Sequence, residues 1–248
     1  MIFNLDDSGG PMTENAIDFA SEDFDFASDG AGAWEASFNA SGALRFKADP
    51  GLVDLALVAG GKPGELGSSG IGGVGGKGGE VKVIPGVRLS RGVIYTVVIG
   101  GSGDDTSISD SGNLSYTAVS GNGGTAGTPS SNRSRPPVAG GPGTEVWAGE
   151  HLLTALNGVK FGPGGGAGGY CASDYAYYNG SAGGETGGPS GGSAGSGGGT
   201  NPSTGTAGNG CGGGGAYRND ASNATHDGSV GLGSSGRLLI RSHVEAAS

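Results

Sequence analysis

The chain has 248 residues, 60 of them glycine and 11 proline, with a formal charge of −10 at pH 7. An apolar fraction of 34% leaves room for only a small conventional core. There is no basic footprint for a phosphate backbone, so nucleic acid is not an expected partner. No run approaches the roughly 18 to 20 apolar residues of a membrane-spanning helix, so no membrane partner is expected either.

Residues 1–33 carry eight acids and no lysine or arginine. The opening "MIFNLDDSGG" has neither a basic nor an apolar leader region, so no secretory leader is expected. In "DFASEDFDFAS" the acids alternate with Phe19, Phe24 and Phe26. Acidic charge with scattered aromatics does not build a core alone. The stretch reads as a disordered tail or as a docking arm whose phenylalanines fill pockets on a neighbouring subunit.

From Trp34 the texture changes to strands and turns. "WEASFNASGALRFKADPG" predicts turns at residues 39–42 and 49–51, with a half-buried strand around Leu44 and Phe46. "LVDLALVAGG" predicts a buried strand. "EVKVIPGVRLSRGVIYTVVIGG" predicts a strand, a turn at Pro85 and Gly86, and a long strand over residues 93–99. Further strands are expected in "LSYTAVS", "EVWAG", "HLLTALNGVKF" and the terminal "GRLLIRSHV". "HLLTALNG" alone could form a helical turn.

Two glycine tracts interrupt these strands. Residues 70–80, "GIGGVGGKGGE", place Ile71, Val74 and Lys77 at every third position with glycine between. Residues 161–216 repeat a spacing of three in short runs. Such tracts are commonly flexible linkers. Here, however, they lie between strands, the second contains several tyrosines, and an apolar strand follows it. Order is available if the tracts form three-residue-per-turn polyglycine II helices, of which residues 71–79 would span about 28 Å. Glycine lets such helices approach and bond laterally, which satisfies the backbone without an apolar core.

Chemical motifs are sparse. His151, His226 and His243 stand at no metal-ligand spacing. Cys171 and Cys211 form no CxxC pair, and a reduced state is expected. "GGSGDD" fits only the start of a calcium-binding repeat and reads as a turn, although Asp104, Asp105 and Asp110 could together hold a calcium ion. No nucleophile elbow or catalytic carboxylate pair stands out, so neither enzyme activity nor a cofactor is expected. Binding is the remaining option, since variable loops on a rigid frame concentrate binding residues. The strongest candidate is "YCASDYAYYNG", with Tyr170, Tyr175, Tyr177, Tyr178 and Asn179. These tyrosines either bind a receptor or pack on the glycine helices as core. Arg133 and Arg135 in "SSNRSRPPV", and Tyr217 and Arg218 in "YRNDASNATHDG", are further candidates.

The order of motifs carries a likeness. "LRFKADPGLVDLALVAGG", a glycine tract, "GGEVKVIPGVRLSRGVIYTVVIGGSG", glycine-rich inserts, "NGCGGGGAY" and a closing "GSSGRLLIR" together resemble the glycine-rich domain of tailed-phage and prophage tail proteins, over residues 43–241. The domain is also similar in kind to the glycine-rich region of receptor kinases of the anaplastic-lymphoma type. The acidic N-terminal stretch and the inserted "RSRPPV" depart from the pattern. The resemblance implies an all-β fold, a small antiparallel β-sandwich combined with a polyglycine II helix bundle, mainly over residues 60–80 and 161–216. An extended N-terminal arm (1–33) would precede this domain (34–248). It implies a virion protein assembled in the host cytoplasm, at a tail fibre or tail tip, attaching to the host surface. Its expected partners are other virion proteins, bound through the arm, and a host surface polysaccharide or outer-membrane protein. A homo-oligomer or a larger assembly is expected. The alternatives are a head-decoration or connector protein without a receptor, and a bacterial surface adhesin.

Overall fold

The computed structural model describes residues 12–21, 24–67, 73–129, 138–147, 150–166, 209–215 and 230–243, together with the backbone of 170–171, 177–178 and 218–219. The fold is all-β. The strands run β1 (Ile17–Phe19), β2 (Phe24–Ser28), β3 (Trp34–Phe38), β4 (Gly42–Phe46), β5 (Leu52–Val58), β6 (Val81–Arg88), β7 (Ile94–Val98), β8 (Thr106–Ser109) and β9 (Ser115–Ala118). Then come the short β10 (Thr144–Glu145), β11 (Lys160–Phe161), β12 (Tyr170–Cys171), β13 (Tyr177–Tyr178) and β14 (Arg218–Asn219), and finally β15 (Arg237–Ser242).

Two five-stranded antiparallel sheets carry the fold, in the orders β1-β4-β7-β8-β9 and β2-β3-β15-β5-β6. One core lies between them. Leu44, Phe46, Tyr95, Val97 and Ile108 from the first sheet meet Trp34, Phe38, Leu55, Leu57 and Ile240 from the second. Alternation decides which side chains enter it, because successive residues of a strand face opposite ways. β7 shows this plainly, with Tyr95 and Val97 buried between exposed Ile94, Thr96 and Val98. β3, by contrast, is buried at all five positions although it contains Glu35 and Ser37. Its outward face is covered at Glu35 by His151, Leu152 and Leu153, and beside it Val146, Leu156, Val159 and Phe161 pack on Ala56 and Val58 of β5 and Leu239 of β15 as a second core.

Three sequence expectations change. Pro85 and Gly86 do not reverse the chain; they lie inside the edge strand β6, where the register with β5 slips between Val53 and Leu55. An edge strand tolerates proline, which has no N–H to donate, and a bulge takes up the extra residue. Gly86 adopts φ +67° there, and its N–H donates to Asp54 Oδ1 at 3.1 Å. The reversal comes later, at Arg91 and Gly92, before β7.

The second change concerns the acidic stretch. Its described part is no arm: β1 pairs with β4 and β2 with β3. Phe19 is buried and meets Phe38 edge-on at 4.9 Å, Phe24 stacks on Phe38 at 5.4 Å, and Phe26 stacks on Trp34 at 6.4 Å. The phenylalanines assigned to docking are therefore used by the chain's own core. The period of two in "FDFAS" turns both rings inward and Asp25 outward. The third change is small: of "HLLTALNGVKF" only Lys160–Phe161 is strand, as β11, and the helical turn allowed for "HLLTALNG" is present as a 3-10 turn, Thr154–Leu156.

The glycine segments are neither strands nor helices of these kinds, yet their backbone is bonded at every turn. Residues 59–65 and 73–80 run antiparallel, with Ala59, Lys62 and Glu65 donating to the carbonyls of Glu80, Lys77 and Val74 at 2.8–2.9 Å. On the same segment Gly75 and Gly78 donate to Gly127 and Gly124, while Gly76 and Gly79 donate to Gly213 and Gly210. Three faces, each repeating every three residues, thus meet three different neighbours. A flat strand can serve only two. Segments 121–127, 162–166, 209–215 and 231–236 join the same lattice; for example, Gly212 and Gly215 donate to Pro163 and Gly166. Segments 121–127 and 231–236 lie wholly beyond the tracts expected from glycine spacing. Burial follows the period too: Val74 and Glu80 are half-buried and Lys77 is exposed, with the glycines between them buried. Ile71 lies outside the described residues.

Candidate binding site

The covered face of the second sheet carries a row of charge. Register places Glu35 of β3 opposite Arg241 of β15, and Arg241 opposite Asp54 of β5. Each carboxylate also meets a histidine: His151 Nδ1 lies 2.6 Å from Glu35 Oε1, and His243 Nδ1 lies 2.6 Å from Asp54 Oδ1. The Glu35 and His151 side chains are 1% and 0% exposed, so their pair is sealed from water. Glu35 Oε2 further accepts from the backbone N–H groups of Leu152 (2.8 Å) and Leu153 (3.3 Å). One carboxylate therefore pins three consecutive residues of the covering segment. A buried acceptor left without these donors would cost about 1–3 kcal/mol or more.

Asp54 is held from several sides. Burial works to raise its carboxyl, but hydrogen bonds from His243, Gly86 and Arg241, with the charge of His243, outweigh this and leave it below the ordinary carboxylate value. Arg241 also spans toward the cover: its guanidinium lies 4.4 Å from the centre of the Trp147 ring, and Trp147 in turn lies 5.5 Å from His151. Trp147 adopts φ +52°, a conformation that bulky residues avoid, so its place is set by these packed partners and not by local preference.

Beside this clamp, a cleft of about 610 Å³ opens between the edge strand β2 and residues 152–156. Its polar side chains are Asp25 from β2, Thr154 from the covering segment, Arg237 from β15 and Asn209 from the glycine lattice. Leu152, Leu153 and Val159 form the apolar wall. Arg237 donates to Ser37 Oγ at 3.1 Å. Burial lowers its pKa, and the nearby Asp25 charge opposes that shift. The cleft wall is thus positioned by Glu35, and its floor by the central strand β15. A pocket of this size, with apolar walls and a few convergent polar groups, suits a small ligand.

The residues expected from sequence fare differently. Tyr170 and Tyr178 stand opposite each other across β12 and β13, and Arg218 of β14 stands beside Tyr170 in parallel pairing. Two of the expected loops are thereby brought to one three-stranded sheet, with Tyr177 opposite Cys171. Tyr175, Asn179, Arg133, Arg135 and Tyr217 lie outside the described residues. "GGSGDD" forms a turn, with Asp104 N–H donating to Gly101 O. Asp105 accepts from Ser120 N–H, and Asp110 from Gly112 and Leu114 N–H. Among the described residues no group of three or more His, Cys, Asp or Glu is placed to hold a metal ion.

Sequence reasoning set aside His151 and His243 as scattered and passed over Glu35, Asp54 and Arg241. The partners lie 116 and 189 residues apart in each histidine–carboxylate pair. A faint signal existed: Glu35 and Asp54 are lone acids inside strands otherwise apolar or small, where an uncompensated charge would be too costly to bury. Comparison with family models, with curated proteins and with solved structures finds no match.

Proposed function

We propose that this chain is a structural protein of a tailed-phage particle, placed at a tail fibre or tail tip, where it attaches the particle to the host surface. In this reading the glycine segments are polyglycine II helices, and they weld to the β-sandwich to make a rigid frame. The observation that carries it is the threefold hydrogen-bond period of residues 73–80, whose 74/77/80, 75/78 and 76/79 faces each serve a separate neighbour. That is the lateral bonding a three-residue-per-turn helix requires. It is also the architecture implied by the motif order over residues 43–241. A frame without a large apolar core suits a protein exposed to solvent at a particle's end. The loops it supports then carry recognition. Its partners are other virion proteins and a host surface polysaccharide or outer-membrane protein. Docking to the particle does not run through Phe19, which the chain's own core occupies.

The test is immunogold labelling of particles with antibody against the purified chain, together with adsorption of the folded chain to host cells. Gold at the tail end and saturable adsorption are the expected results. Gold over the capsid, with no adsorption, would replace this reading with head decoration.

A further inference from the structure

We propose that the cleft between β2 and residues 152–156 is a saccharide site that takes one or two neutral hexose units. This deepens the attachment reading and rests on it for the source of the sugar, not for the chemistry of the cleft. A volume of about 610 Å³ lies in the range of small-ligand pockets and leaves room for a disaccharide.

The lining selects the ligand class. Asp25 can only accept hydrogen bonds, Arg237 can only donate them, and Asn209 and Thr154 can do both. Among the described lining residues one carboxylate faces one guanidinium, so these two charges balance and favour neither an anion nor a cation. An anionic sugar would face Asp25, and an amino sugar would face Arg237. A hydroxyl both donates and accepts, so a neutral polyol can serve all four groups at once. Its C–H face then lies on Leu152, Leu153 and Val159. Arg237 is anchored by Ser37 Oγ and Leu152 and Leu153 by Glu35, so the donors and the wall are set before the ligand arrives. Glu35 is here a positioning residue, since its bonds all go to the covering segment.

The experiment uses the full chain and two exposed substitutions, Asp25→Asn and Ala155→Trp. Neither position belongs to the apolar core. Cellobiose, lactose and N,N′-diacetylchitobiose are the neutral probes, with glucuronate and glucosamine as charged controls. Saturation-transfer NMR and titration calorimetry read the binding. At least one neutral probe is expected to bind with a millimolar or tighter dissociation constant and more tightly than either charged control. Asp25→Asn should weaken it about tenfold, and Ala155→Trp should abolish it, with thermal midpoints unchanged. No transfer from any neutral probe overturns the proposal, as does binding that both variants leave intact. Host-cell adsorption separates the two readings. Adsorption equal in wild type and Ala155→Trp, with no saccharide bound by either, overturns the saccharide cleft alone. Saccharide binding without adsorption overturns attachment alone.

Discussion

At the scale of single residues, the molecule spends its few buried charges on holding a cover over one sheet. Glu35 and Asp54 would each be too costly to bury without partners, and each is met by a histidine and by backbone N–H groups. Asp54 makes a pH prediction. Its folded carboxyl lies below the ordinary carboxylate value, so its contribution is complete above that ordinary value and is lost as pH falls through the lower folded one. Near neutral pH, Asp54→Asn should destabilise the chain by about 1–2 kcal/mol, a figure reduced because His243 and Arg241 are about a quarter exposed. As pH falls from the ordinary carboxylate range through the lower folded value, the difference between variant and wild type should shrink toward zero. Urea denaturation across this range checks it; a difference that grows on acidification would reverse the assignment.

At the scale of the element, residues 73–80 show what glycine does when it is ordered. A Cβ added to Gly76 would stand 1.9 Å from the Lys62 carbonyl oxygen, which is backbone and cannot swing aside. Lys77, one residue on, points to solvent. Gly76→Ala should therefore destabilise the chain by at least about 3 kcal/mol, and Lys77→Ala should stay within about 0.5 kcal/mol. Chemical denaturation midpoints of the two variants decide the matter. Similar, small effects at both positions would mean that the segment is not packed on its neighbours. The same contrast separates this element from a flexible linker, in which alanine for glycine is harmless or mildly stabilising.

For the molecule as a whole, the question is whether the acidic N-terminal stretch belongs to the domain or to a partner. Phe19 answers it structurally: it sits on β1, buried against Phe38, at the junction of the two sheets. Phe19→Ala should cost the isolated chain about 3–4 kcal/mol, read as a fall in thermal midpoint. An arm that docked elsewhere would leave the stability of the isolated chain unchanged. The order of the second sheet makes the same point about closure. Its central strand is β15, the last in the chain, flanked by β3 and β5. The sheet is complete only when both ends of the sequence have come together, so its formation carries a loop-closure cost that spans most of the chain.

Local information determined much of this protein from sequence alone. Alternating side chains marked β4 and β7 and an apolar run marked β15, because strand period and composition are properties of neighbouring residues. The triplets of residues 70–80 announced a period of three, because steric freedom at glycine is equally local. The pairing of these pieces was decided only in the tertiary structure. Nothing near Pro85 and Gly86 distinguishes a reversal from a bulge; the difference is that β5 lies alongside and Asp54 accepts the Gly86 N–H. Nothing near Phe19 distinguishes docking on another subunit from docking on Phe38. The clamp and the cleft draw on three separate stretches of chain, Asp25 and Glu35, then His151, then Arg237 and Arg241, which meet through the β2–β3 and β3–β15 pairings and the Glu35–His151 contact. Strand alternation and glycine triplet spacing are short-range properties, whereas a buried charge network depends on chain closure over more than a hundred residues.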